Sequence, residues 1–314
     1  MSQNLKKFPL FRLTTIAAEH VVRSMEVEEM FILSLTSTKA KALLNCSLPK
    51  NHAHISSTNT KLLIFKQNRV ARADGYNSYK IHNIQCKFFL ETMEIISEKP
   101  FEVVAEAFST HLAGSFRTPK ISMDFGRMVT PEAALGLLYN AKSLNLPMEK
   151  FKLETTNTPA DVYSAFLNVG PIIKELLIYS EATPDFQYSP SEVFKLDRLH
   201  VEDGHWVHPQ DFMECKIVVV SNITENPNMY CLNAQRLNEF FKVWQGCSCR
   251  LERLSVWGTY FHGLNFEEVT IGLSGTNFTR NNEFHSVDIE RKDGRLATIK
   301  LTRADLSLQL EKIT

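Results

Sequence analysis

The sequence predicts a mixed α/β protein, α+β overall, in which a small three-helix unit precedes a longer strand-and-helix array closed by a C-terminal β-hairpin. Three observations predict it. Helical periodicity with capping residues fills the first fifty positions, short β-rich runs alternate with helical segments from residue 120 onward, and a tail of alternating apolar residues surrounds Asp293-Gly294.

Phe8-Pro9-Leu10-Phe11-Arg12-Leu13 is a short apolar lead-in, and Pro9 separates it from any continuous helix. Thr14 or Thr15 can cap the helix that follows, with Ile16, Ala17, Val21, Val22 and Met25 spaced for one side of it. Val27, Met30, Phe31, Leu33 and Leu35 form a second apolar group beyond Glu26, and Ser37-Thr38 offers a restart before Ala40, Leu43 and Leu44. About forty residues hold too little interior for all these apolar groups, so some must face a partner or the remaining chain.

The run from Phe8 to Met25, continuing through Leu33 to Lys41, resembles the F-box of the large nematode F-box family. The resemblance implies an F-box over residues 5–48 that binds a Skp-type adaptor and, through it, a cullin scaffold. Phe8, Pro9, Leu10, Leu13, Val22, Met25 and Leu33 would supply adaptor contacts or support them from the core. Thr14 stands where that family usually carries proline, which exchanges a fixed backbone angle for a helix cap.

Residues 60–314 read as one larger α/β region. Lys61 to Lys66 and Gln85 to Leu90 are strand-like around a polar stretch containing Asp74-Gly75 and Asn77-Ser78, which predicts a small sheet or hairpin. Pro100 opens a helix running to about Gly114. Strand cores follow at 120–124, 151–153, 174–179, 196–201, 216–220 and 251–256, with helices over 131–144, 160–169 and 233–244. Several strands carry a Leu-x-x-Leu-x-Val/Ile beat, and their spacing of 18 to 37 residues scatters around a leucine-rich-repeat period. An irregular leucine-rich-repeat-like stack is therefore the expected arrangement, with a sheet lacking repeat symmetry as the alternative. Val287 and Ile289 alternate into Ala297, Ile299 and Leu301 across Asp293-Gly294, which predicts the closing hairpin. Residues 160–265 further resemble the type-2 F-box-associated domain of the same family, most closely from Leu232 to Trp244 and from Cys249 to Leu254.

Lys plus Arg and Asp plus Glu both total 35, so no net field favours nucleic acid or membrane surfaces. No apolar run approaches the roughly 20 residues of a membrane span, so an intracellular chain, cytoplasmic or nuclear, is expected. The six cysteines are scattered rather than framed for disulfides. Asp203, His205, His208, Asp211 and Cys215 contain zinc-type donors, but their spacing closes no site. Cys247 and Cys249 are separated by one residue instead of the usual two to four. No Gly-x-Ser-x-Gly, phosphate loop or dinucleotide fingerprint occurs. The expectation is a non-catalytic ligase adaptor without metal or cofactor, binding an unidentified target protein, with a stand-alone binding module as the alternative.

Overall fold

In the computed structural model, which describes residues 10–48, 54–56, 64–67, 77–89, 94–116, 119–127, 129–169, 172–222, 233–258, 264–302 and 305–310, several helices begin at side chains that cap them, Thr14, Ser37, Asn233 and Asn265 among them. The chain forms two compact units, Met1–Met123 with Gly136–Met148 and Asp124–Leu135 with Glu149–Thr314.

The first unit opens with a 3-10 turn over Leu10–Arg12. Helix α1 (Thr15–Arg23) is capped by Thr14, whose side chain accepts from the Ala17 amide at 3.4 Å. Helix α2 (Val27–Thr36) starts with the Glu26 amide donating to the Glu29 carboxylate at 3.0 Å. Helix α3 (Thr38–Ser47) is capped by Ser37 at 3.1 Å from the Ala40 amide. The packed side of α1 carries Ala18 and Val22, an i, i+4 pair, so it is rotated from the side that the sequence marks; Ala17 and Val21 are half-buried and Ile16 faces out.

Strands β1 (His54–Ser56), β2 (Ile64–Gln67), β3 (Asn77–Ile81), β4 (Ile84–Phe89) and β5 (Glu94–Ser97) lead to helix α4 (Phe101–Ser115). Four of them form a small sheet in the order β2-β5-β4-β3. Its tight hairpin joins β3 to β4 through His82 and Asn83, both with positive φ (44° and 60°). Asn77-Ser78, part of the polar stretch expected between the strand-like runs, begin β3; Asp74-Gly75 lies outside the described residues. Helix α2 packs on α3 and β3, and α4 packs on α3 and β3. Phe31 of α2 meets Phe108 of α4 at 5.1 Å between ring centroids, and Ser34 hydrogen-bonds His111 of α4 at 2.8 Å. Strand β6 (Lys120–Phe125) pairs in parallel with β1. Helix α5 (Pro131–Ser143), capped by Thr130, and β6 each cross the line between the units.

The second unit contains β7 (Met148–Glu154), α6 (Ala160–Val169), β8 (Ile173–Tyr179), β9 (Arg198–Val201), β10 (Ile217–Asn222), α7 (Ala234–Gly246) and β11 (Arg253–Gly258). Helix α8 (Phe266–Thr270) and strands β12 (Gly275–Arg280), β13 (Phe284–Glu290), β14 (Leu296–Thr302) and β15 (Asp305–Leu310) complete it. Its mixed sheet has the order β7-β8-β9-β10-β11-β15-β14-β13-β12. Strands β8 to β11 run parallel in chain order, and β11 to β12 along the sheet are antiparallel. The expected hairpin is β13–β14, turned by Gly294 at φ 81°. It does not join the parallel strands itself. Strand β15, unmarked in the sequence reading, pairs with β11 and carries the hairpin on its far edge.

One face of the parallel strands is apolar and buried: Leu176 and Ile178, Leu199 and Val201, Val218 and Val220, Leu254 and Val256. Phe166 of α6 and Phe240, Phe241 and Trp244 of α7 are buried with them. No helix of eight or more residues links β8 to β9 or β9 to β10. There Trp206 is boxed by the rings of Tyr163, Phe186, Tyr188 and Phe212 at 5.4 to 6.2 Å, so aromatic side chains fill the layer that helices supply elsewhere. Among the described residues no helix is long and apolar enough to cross a membrane.

Candidate functional site

Two regions, one in each unit, carry features beyond packing. In the first, Leu10 and Val22 are buried, and Leu13, Met25 and Leu33 are half-buried; Phe8 and Pro9 lie outside the described residues. Leu10 and Val22 therefore hold the helices together from inside. Two large apolar side chains of this region are exposed among the described residues, Phe11 at 42% and Ile16 at 71%. Lys39 Nζ at the start of α3 lies 5.1 Å from the Phe11 ring centroid, a cation–π contact that fixes the ring without covering it. Phe11 belongs to the apolar lead-in but is not among the contact residues that the F-box resemblance implies. Its only signal was adjacency to Leu10, because a 3-10 turn sends successive side chains in different directions.

In the second unit the strands' other face is mixed, with Leu177, Ile217, Val219 and Trp257 among polar residues. Alternation from the buried residues brings Lys152, Tyr179, His200 and Ser221 to it. Tyr179 Oη lies 3.1 Å from His200 Nδ1, and His200 Nε2 lies 3.5 Å from Ser221 Oγ. Burial, and then the nearby Arg198 charge, push the His200 imidazole down to about 4, so it is neutral at physiological pH. Lys152 Nζ bridges Asp124 at 3.5 Å and Glu154 at 3.4 Å, and stands 5.4 Å from the Tyr179 ring centroid. Burial pulls the Lys152 ammonium down, but those two carboxylates outweigh it and hold it above its ordinary value.

At the C-terminal ends of β7, β8 and β9 this face opens into a cleft of about 490 Å³, lined in part by Arg127, Glu154, Tyr179, Glu181 and Glu202. Arg127 reaches Glu154 at 3.4 Å. Desolvation, then repulsion from Glu154, raises the Glu202 carboxyl above its usual range; Arg127 opposes this and Glu181 adds to it. None of these residues stood out in the sequence. Alternation can assign each to this face of its own strand, but the lateral register that gathers them is absent from a single sequence.

In the donor-rich stretch after β9, Asp203 and one ring nitrogen of His205 are used internally, while His205 Nε2 is buried without a hydrogen-bond partner among the described residues. Asp203 Oδ2 accepts from the Ala182 amide at 2.9 Å, and its Oδ1 lies 2.7 Å from His205 Nδ1, with both side chains buried. Cys215 is buried, its thiol pushed up to about 12 by desolvation. Cys249 is pushed up to about 11, first by burial and then by Cys247; Cys231 lies outside the described residues. Among the described residues no group of three His, Cys, Asp or Glu side chains is placed to hold a metal ion. Compared with protein-family models, with characterised proteins and with solved structures, the chain matches none of them.

Proposed function

We propose that the chain is the substrate-receptor subunit of an SCF-type ubiquitin ligase, its N-terminal helices docking a Skp-type adaptor and its second unit holding a target protein. The observation that carries the reading is the outward placement of Phe11 and Ile16 on a three-helix unit whose buried interior is supplied by Leu10, Val22, Phe31 and Leu44. An exposed aromatic and an exposed β-branched side chain gain most when a partner removes them from water, about 25 cal/mol for each Å² covered. The F-box likeness of residues 8–41 names that partner. Leu10 and Val22 would serve this surface as core support, and the half-buried Leu13, Met25 and Leu33 would add contacts to the adaptor.

The second unit suits the target-binding role. Strands β8 to β11 follow one another in chain order, as stacked repeats do, and this supports a leucine-rich-repeat-like reading of residues 120–256. The type-2 F-box-associated region, about 160–265, would then run from α6 through β11. Catalysis in such a subunit is by proximity. The receptor raises the concentration of a target lysine around an active site carried by another protein, and no side chain of its own acts as acid, base or nucleophile.

Co-expression with a Skp-type adaptor tests this. The intact chain should recover the adaptor, and Phe11→Asp with Ile16→Asp should lose it while keeping the same thermal unfolding. Absence of adaptor from the intact chain, or equal recovery by the double variant, would sink the proposal.

A further inference from the structure

Two sulfurs meet where α7 ends. Cys247 follows the last residue of α7, and Cys249 lies two positions on, in the segment that leads to β11. The Cys249 thiol is in hydrogen-bond contact with Cys247, whose own S–H donates to the Trp244 carbonyl at 3.3 Å. Residues two apart stand no more than about 7 Å apart between Cα atoms, and a disulfide needs about 4.4–6.8 Å, so the spacing allows closure. A soluble reagent reaches the pair through Cys247, which is half-buried, whereas Cys249 is buried.

A second, independent feature is a fixed positive charge. Arg291 Nη1 donates to Cys249 Sγ at 3.5 Å and to the Cys249 carbonyl at 2.8 Å. The guanidinium is buried and held by Asp293 and the Trp244 ring, so it stays beside that sulfur, where a cation favours a thiolate. Burial, and then Cys247, hold the Cys249 thiol up at about 11, so Cys249 is protonated and inert while Cys247 is reduced. Once the Cys247 sulfur enters a disulfide its opposition ends, and the Leu251 backbone and Arg291 both favour the Cys249 thiolate. The order of reaction is thereby set, Cys247 first and Cys249 second.

We propose that Cys247 and Cys249 form a redox pair that closes to an internal disulfide by exchange with a small disulfide of the glutathione type. The Cys247 sulfur gives up its proton and attacks one sulfur of glutathione disulfide. A mixed disulfide forms, and the other glutathione leaves as a thiolate that takes a proton. Cys249 then gives up its proton and attacks the Cys247 sulfur, which expels the second glutathione in the same way. Two electrons pass from the two thiols to one glutathione disulfide, yielding one protein disulfide and two glutathione thiols. Closure staples the connection from α7 to β11 at the residue that Arg291 ties to the β13–β14 turn. The reaction requires neither an adaptor nor a target protein, so it stands apart from the ligase reading.

The test uses the full reduced chain in mixtures of glutathione and glutathione disulfide, with the disulfide share raised until Cys46, exposed on α3, carries glutathione. Free thiols are then trapped by alkylation, and the tryptic peptide 243–250, which contains both cysteines, is weighed. It should be recovered without label and two hydrogens lighter than its reduced form, and dithiothreitol should return both thiols. Cys249→Ser should stop at one glutathione on Cys247, and Cys247→Ser should slow the uptake of glutathione by Cys249 at least about tenfold. Two labelled thiols in this peptide under those conditions would overturn the inference. So would glutathione persisting on it in the intact chain, a link from it to any other cysteine, or undiminished uptake by Cys249 in Cys247→Ser.

Discussion

Tyr179 and His200 stand on neighbouring parallel strands with Oη and Nδ1 3.1 Å apart, a side-chain contact that joins β8 to β9 on the face opposite the buried core. The bond suits a neutral ring whose Nδ1 accepts from the phenol while Nε2 turns to Ser221. His111 in the first unit is likewise held near 4, by burial first and then by Lys41 and His82, while it bonds Ser34. Both folded values lie below the ordinary 6.5, so the unfolded chain binds more protons between about pH 4 and 6.5. Stability should therefore rise with pH across that window and flatten above it, with up to about 3 kcal/mol from the well-buried His111. Urea midpoints between pH 4.5 and 7 check this, and His111→Gln should reduce the slope.

Phe31 joins α2 to α4 through Phe108 and is fully buried. Phe31→Ala should cost about 3–5 kcal/mol, measured by urea unfolding. Ile16→Ala, which empties no interior, should stay within about 0.5 kcal/mol. This contrast separates side chains that hold the helices from those offered outward.

Gly204 has no room for a side chain, since an added Cβ would stand 1.9 Å from Val220 Cγ1. Gly204→Ala should therefore destabilise the second unit by about 1–3 kcal/mol, read as a lowered melting temperature.

Arg291 is buried, with two bonds to Asp293 at 2.6 and 2.9 Å, one to the Cys249 carbonyl at 2.8 Å, and its guanidinium 5.2 Å from the Trp244 ring centroid. It ties the β13–β14 turn to the end of α7. Arg291→Ala should cost about 3 kcal/mol in calorimetric unfolding, and Asp293→Asn distinctly less because Asp293 reaches solvent.

Thr14 has φ −61° and ψ 154°, angles that proline also adopts. Thr14→Pro exchanges the 3.4 Å cap bond for a stiffer chain and should change stability by less than about 1 kcal/mol, whereas Thr14→Ala loses roughly 0.5–1 kcal/mol. Melting curves of the two variants decide it.

Where a segment's period and its caps agree, the sequence is legible. Thr14 and Ser37 mark two of the first three helix starts, and the strands around Phe151, Ile178, Val201, Val220 and Val256 sit where their apolar alternation places them. Legibility ends where tertiary packing decides. Ile16 and Ala18 look alike as apolar residues of α1, and only contact with α3 decides which is buried. Strand β15 is short and follows β14 closely, so its pairing with β11 depends on a partner about fifty residues earlier. The Glu154, Glu181 and Glu202 cluster likewise needs the lateral order of three strands before its charges meet.

The most direct test of the ligase account is the affinity of the purified chain for a purified Skp-type adaptor, titrated calorimetrically beside the Phe11→Asp, Ile16→Asp variant. The account predicts saturable one-to-one binding that the paired substitutions weaken at least a hundredfold. Binding indifferent to Phe11 and Ile16, or no heat of binding in the intact chain, would contradict it.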